Sequence, residues 1–171
     1  KPDGFDGEIK HADLLELPHD LKGFFDYQQA LGYAKKVNKP LFIDFTGHGC
    51  VNCRKMEQYV WSDNEVIKRM KEDFVVVALY VDEKTTLPES EWYTSEFDGK
   101  VKKTIGKQNF DFQITAFNGN AQPYYVLLDN NQQPLLRPKS YDASVDNFVK
   151  FLDDAKAEFD RRGMGESSLR H

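Results

Sequence analysis

Cys50 and Cys53 are the only two cysteines in this 171-residue chain, and two residues separate them. A disulfide framework would use more cysteines, spread over wider loops. A compact chain of this length buries roughly 70% of its unfolded surface and needs no such staple. The pair is therefore placed for chemistry, and the segments around it constrain the fold. Just before it, residues 41–45 form a short apolar run broken only by Asp44, as in a central strand covered on both faces. Gly47-His48-Gly49 reads as a loop. From residue 50 to about 60 the spacing turns helical, with Cys53, Met56, Glu57 and Val60 on one side. Asp63 is placed to cap a further helical stretch through Val66, Ile67 and Met70, and residues 74–81 read as a second buried strand. Strand, helix and strand at this spacing predict a right-handed parallel βαβ unit.

The rest of the chain extends that unit into one domain over residues 23–162. Residues 1–22 carry Pro2, Gly4, Gly7 and Pro18 among charges and read as a linker or loosely docked arm, with 13–17 able to pack on the body. Asp26 opens a helix with Gln29 as its capping-box partner, Ala30, Leu31, Ala34 and Val37 form the inner face, and Asn38 and Pro40 stop it. Residues 83–103 are polar and break the pattern, so they read as an insertion with a tight turn at Asp98-Gly99. Residues 104–117 are expected to be helical, weakened by Gly106, with Gly119 beyond the end as a left-handed cap. Gln122-Pro123 precedes a third strand over 124–128, and after the Asn130-Asn131 turn residues 134–137 return as an edge strand that tolerates proline. Val145, Phe148, Val149, Leu152, Ala155 and Phe159 mark a final helix, with Asp142 as expected cap and Gly163 as its end. Residues 163–171 read as a disordered tail.

Composition narrows the function. Hydrophobic residues at 40% and charged residues at 30% describe a soluble globular protein. The charge of 23 basic against 28 acidic side chains is −5, and without a basic cluster this argues against nucleic acid as a partner. No apolar run approaches the roughly 18 residues that a membrane span needs. The chain starts at Lys1-Pro2 without an initiator Met, so it reads as a processed or excised fragment.

A C-x-x-C that opens a helix directly after a buried strand has a physical meaning. The first cysteine meets unpaired backbone N–H groups and the positive end of the helix dipole, which favour its thiolate. The second lies one turn deeper and can attack a mixed disulfide to release a partner. Other readings stay open beside exchange. His48, Cys50 and Cys53 together offer three ligands for zinc or copper, although zinc usually takes four. An inert disulfide across so short a loop would gain little entropy. Covalent haem attachment is excluded, because Arg54 rather than His follows Cys53.

These residues resemble the thioredoxin superfamily. Within it, residues 39–66 are similar to the C-terminal periplasmic domain of the DsbD-type thiol:disulfide interchange proteins. Lys39-Pro40, Asp44, the run from Cys50 through Val51, Asn52, Cys53, Arg54, Lys55 and Met56 to Glu57, and then Ser62-Asp63-Asn64-Glu65-Val66 carry that resemblance. Pro123 stands where the superfamily keeps a cis-proline. The match spans about 24–161, with 83–103 extra.

The resemblance implies an α/β thioredoxin fold, with a mixed central sheet flanked by helices and an insertion before the cis-proline segment. It implies that Cys50 is the nucleophile and Cys53 the resolving cysteine. Asp44 would be a buried acid relaying a proton for Cys53, and Glu57 an acid that raises the thiol pKa values. Gln122, Pro123 and Gly49 would face a partner peptide that adds as a strand. The implied cofactor is none beyond the Cys50–Cys53 disulfide, and no metal. The implied activity is protein-disulfide reduction, with electrons passing from a membrane-embedded donor domain to periplasmic thioredoxin-like proteins that serve disulfide isomerisation or cytochrome c maturation. The fragment would be a monomer, periplasmic and tethered to the inner membrane through a longer chain. A free-standing envelope thioredoxin, a His/Cys metal chaperone and a binding module with incidental cysteines are the alternatives. One departure stands out. The family's usual Trp before the first cysteine is Gly49 here, preceded by His48, which opens the loop and leaves His48 expected in solvent. Trp61 is expected in the core.

Overall fold

The period-two alternation of β1 (Leu41–Thr46) decides the layering of this computed structural model, which describes residues 1–163. Leu41, Ile43 and Phe45 face one side, where they meet Ala30 and Ala34 of α1 (Tyr27–Val37) and Phe112 and Phe117 of α4 (Ile105–Phe117). Phe42 faces the other side, among Met56, Val60, Trp61, Met70, Phe148 and Leu152. Those come from α2 (Val51–Met56), a π-helical turn (Glu57–Trp61), α3 (Asn64–Asp73) and α5 (Val145–Arg161). The sheet has the order β2–β1–β5, with β2 (Val75–Tyr80) parallel and β5 (Tyr124–Leu128) antiparallel to β1. Every residue of β1 and β2 is buried, which is why both read as nearly unbroken apolar runs. The expected mixed sheet with helices on both faces is present. Full burial of one such large side chain contributes about 1.5–3 kcal/mol. Phe42 reaches the rings of Trp61, Phe74, Tyr125 and Phe148 at once.

Several local expectations are corrected. Asp26 caps α1 by accepting from Gln29 N–H, but the Gln29 side chain does not return the bond as a capping box would. It binds the Glu8 carbonyl and the Lys10 N–H instead, tying down the N-terminal segment. Residues 1–22 pack along the body in this way: the Phe5 ring meets Phe24 at 5.0 Å, Leu15 and Leu21 are buried, and Tyr33 Oη donates to the Asp3 carbonyl. Ser144, not Asp142, caps α5, because its hydroxyl reaches Asn147 N–H while Asp142 accepts from Ser144 N–H. Asn118 (φ 54°), not Gly119, is the left-handed end of α4. Gly106 is there for space. A Cβ at that position would stand 2.7–2.8 Å from the backbone of Glu83 and Val81. Residues 134–137 form no continuous strand; Pro134 and Lys139 make single bridges to Leu128 and Tyr125, and the prolines at 134 and 138 supply no N–H for a ladder.

The 83–103 segment carries a hairpin of β3 (Tyr93–Thr94) and β4 (Val101–Lys102). Its connection runs over residues 95–100, longer than the expected tight turn, with Gly99 at φ 74°. The buried Asp111 of α4 staples it, accepting from Ser95 Oγ and Tyr93 Oη. No helix among the described residues is long and apolar enough to cross a membrane. The expected tail beyond Gly163 lies outside the described residues.

Candidate active site

β1 ends at Thr46, Gly47-His48-Gly49 turns the chain, and Cys50 becomes the N-cap of α2 (φ −86°, ψ 102°). That places its sulfur against the open first turn, where Cys53 N–H donates to Cys50 Sγ at 3.1 Å. The two cysteines are joined as a disulfide with Cα atoms 5.2 Å apart. Cys50 is half-buried, whereas Cys53 is only 1% exposed. The first cysteine is thus partly exposed and the second covered.

The alternation that aims Phe42 at α2 aims Asp44 the same way, two residues closer to the cysteines. Asp44 is buried between Ala78 and Tyr125 of the neighbouring strands, and its Oδ1 has no partner among the described residues. Burial pushes its carboxyl well above the ordinary range, the negative charge of Glu57 adds to the shift, and Arg54 opposes it. Glu57 is also raised, first by burial, with Arg54 and His19 pulling the other way. Its carboxylate is ion-paired: Arg54 Nη2 donates to Glu57 Oε2 at 2.9 Å and to Thr46 Oγ1 at 3.0 Å. Glu57 therefore reaches the site as half of a pair.

Gln122-Pro123 is a cis peptide. Phe45 pairs with Tyr124 in the sheet, so Pro123 lies one residue beyond that pair, at the end where β1 gives way to the cysteine loop. Gln122 Nε2 donates to Gln113 Oε1, while Gln113 Nε2 holds the Ala121 carbonyl. Among the described residues no hydrogen bond uses the backbone N–H or C=O of Gln122. The loop before Cys50 is more tightly held than expected. His48 is exposed as expected, yet its ring also stacks on Tyr80 with centroids 4.5 Å apart and sets Nε2 2.8 Å from Glu83 Oε1. Asp82 accepts from His48 N–H and Gly49 N–H at 2.8 and 3.0 Å. Trp61 is in the core, against Phe42 and Tyr125. No group of three or more His, Cys, Asp and Glu among the described residues is arranged to hold a metal ion.

The sequence model of the thioredoxin-like domain matches residues 27–156. The chain belongs to the thioredoxin-like family. No curated protein matches the sequence. Among solved structures, the DsbH oxidoreductase is 18% identical with a TM-score of 0.59, covering 89% of this chain and 95% of its own. A thioredoxin from Thermus thermophilus is 19% identical with a TM-score of 0.60, covering 87% and 98%. The Neisseria meningitidis DsbD C-terminal domain in the reduced form is 16% identical with a TM-score of 0.49, covering 75% and 92%. At such identities the likeness speaks for the fold alone.

This chain thus carries a thioredoxin-like thiol:disulfide oxidoreductase fold with its C-x-x-C disulfide at a helix N-terminus. Around it stand three side chains that sequence reasoning did not assign. Arg54 was readable in part, because it lies three residues before Glu57 on one helix. His19 was not: it comes from the N-terminal segment, with Nε2 2.6 Å from the Glu57 carbonyl oxygen. Both His19 and Asp20 sit at φ 57°, a left-handed conformation that few non-glycine residues adopt and that His and Asp take more readily than most, where the backbone meets the site helix. Asp82 is the third. A cleft of about 360 Å³ lined by Pro2, Asp3, Tyr33, Lys39 and Phe74 lies at the opposite end of the strands and is no part of this chemistry.

Proposed function

We propose that this chain is a protein-disulfide reductase that passes electrons by dithiol–disulfide exchange. In this reading it takes them from a membrane-embedded donor domain and hands them to periplasmic thioredoxin-like proteins, as a periplasmic part of a longer membrane-tethered chain. The observation that carries the exchange reading is the asymmetry of the pair: a partly exposed Cys50 at a helix N-terminus, bonded to a covered Cys53 on the same face as the buried Asp44, whose Oδ1 has no partner among the described residues. The resemblance of residues 39–66 to DsbD-type domains supports the choice of donor and acceptors.

The step runs as follows. The Cys50 thiolate attacks one sulfur of the partner disulfide, and the displaced partner sulfur leaves as a thiolate that takes up a proton. Asp44 accepts the proton of Cys53, directly or through a water. The Cys53 thiolate then attacks Cys50 Sγ, forming the Cys50–Cys53 disulfide and releasing the second partner sulfur. Two electrons have moved to the partner, and the donor's dithiol restores the starting state by the reverse exchange. No cofactor beyond the cysteine pair enters the scheme. The unused N–H and C=O of Gln122, held beside the cis-Pro123, pair with the partner's backbone as it crosses Gly49.

Direction follows from electrostatics. The buried Asp44 and the Glu57 beside it disfavour a thiolate, so the dithiol is not strongly stabilised as it is in an oxidant. The reduction potential should lie below about −200 mV, nearer to thioredoxin than to DsbA at about −120 mV. Asp44→Ala should make the protein more oxidising, and Glu57→Gln should do so to a smaller extent because Arg54 already offsets part of that charge. Equilibration against glutathione with a gel-shift readout measures all three proteins. A wild-type potential above about −150 mV would sink the reductase reading.

A further inference from the structure

We propose that Asp82 is a positioning residue for Cys50 and that its carboxylate, open to the partner across Gly49, selects disulfides in cationic surroundings. The proposal rests on the exchange reading above. Asp82 lies two residues past the end of β2, just before the 83–103 segment. Each of its carboxylate oxygens takes one of two consecutive amides, His48 N–H and Gly49 N–H, which together form a small anion-holding nest immediately before the nucleophile.

The clamp is built from both sides. A Cβ on Gly47 would stand 3.0–3.3 Å from the Asp82 carboxylate, so the missing side chain there lets the acid come close. Behind it, Val81 N–H bonds the Thr46 carbonyl, and the Glu83 carbonyl takes Gly106 N–H from α4 at 2.8 Å. The Glu83 carboxylate holds Thr85 and the His48 ring, and that ring lies on Tyr80. The loop is fixed by Asp82, Glu83 and Tyr80 at and beyond the end of β2, not by a tryptophan packed before the cysteine.

Two consequences follow for exchange. The amides of His48 and Gly49 are committed to Asp82 and are not free to turn toward the Cys50 sulfur. A full negative charge also stands beside the path of the incoming disulfide. Gly49 does not screen it, since the nearest non-neighbouring heavy atom to a Cβ built there is Asp82 Oδ2 at 3.9 Å. A large side chain at 49 would cover that oxygen.

The test uses three small disulfides with the reduced protein: cystamine, which is dicationic, hydroxyethyl disulfide, which is neutral, and dithiodipropionate, which is dianionic. Second-order rates are read by stopped flow. Wild type should favour cystamine over dithiodipropionate by about tenfold at low salt, with the preference shrinking as salt screens the charge. Asp82→Asn keeps the side-chain shape and changes the net charge only from −5 to −4, so the general field of the chain is nearly unchanged; its preference should fall to about threefold or less. Gly49→Trp keeps Asp82 but covers it, and should lower the preference as well, which preserves the test if Asp82→Asn fails to fold. Equal preference in wild type and both variants, or no charge preference in wild type, overturns the role of Asp82. Failure of wild type to reduce even the neutral disulfide overturns the exchange reading instead.

Discussion

Cys53→Ala protein, reduced and mixed with a disulfide-bonded partner, should accumulate as a covalent complex through Cys50, while Cys50→Ser should form none. The same Cys50→Ser change should lower disulfide reduction at least about a thousandfold, because removing the nucleophile removes the covalent route altogether. The reasoning is geometric. Cys53 is 1% exposed and cannot meet a partner, whereas Cys50 is accessible and accepts the Cys53 N–H at the open helix end. Without Cys53 the mixed disulfide has no internal thiol to resolve it. Non-reducing electrophoresis and mass mapping read both outcomes, and brief iodoacetamide treatment of the reduced wild type should label Cys50 first. Faster labelling of Cys53, or a complex trapped through Cys53 in the Cys50→Ser protein, reverses the assignment of roles.

Asp44→Ala should make the oxidised protein more stable at pH 8, by about 2–3 kcal/mol, and leave it no more stable near pH 4. The magnitude reflects the cost of holding an ionised carboxylate away from water without a compensating bond. The folded-state pKa of Asp44 is raised well above the usual 3.8, which approximates the unfolded chain. As pH rises from the unfolded to the folded value, the unfolded state releases its proton before the folded state does. Stability therefore falls across that window, and the loss is complete above the folded pKa. Alanine has no proton to release, so the variant escapes the loss at high pH and has no advantage at low pH. At about 2–4 °C per kcal/mol for a chain of this size, the midpoint at pH 8 should rise by roughly 4–12 °C. A destabilised variant at pH 8, or a gain that does not change with pH, would falsify the account of Asp44 as a buried ionisable acid.

What could be read from the sequence was local and periodic. The nearly unbroken apolar run over 41–45 marked a strand covered on both faces, whereas the role of Asp44 as a buried acid came only with the resemblance to the thioredoxin superfamily. Helical spacing put Cys53 and Glu57 on one side, and the strand Tyr124–Leu128 could be read to its ends, but Gln122-Pro123 became a site only through the same resemblance. The remaining parts depend on contacts between distant segments. His19 is 38 residues from Glu57, and Asp82 is 34 from His48 and 33 from Gly49. A carboxylate just past a strand carries no periodic signal that it will face the amides of a loop that follows another strand. The missed cap of α5 had a different cause: Asp142 and Ser144 both suit the position, and the choice turned on which oxygen reached Asn147 N–H. Residues 134–137 misled because apolar content suggests a strand even where proline denies it a ladder.

Those interrupted pairings also bear on how the protein behaves in crowded company. Beyond β2 the open side is met by Phe24, whose N–H and C=O bond Val76 and Ala78. Beyond β5 it is met by Leu135 and Lys139, which bond Leu127 and Tyr125, with Pro134 and Pro138 beside them. Each side is closed by irregular chain over the residues where a foreign strand would otherwise dock. An unguarded row of N–H and C=O groups invites aggregation and domain swapping. Here both flanks of the sheet are closed over those residues, while among the described residues the backbone N–H and C=O of Gln122 carry no hydrogen bond.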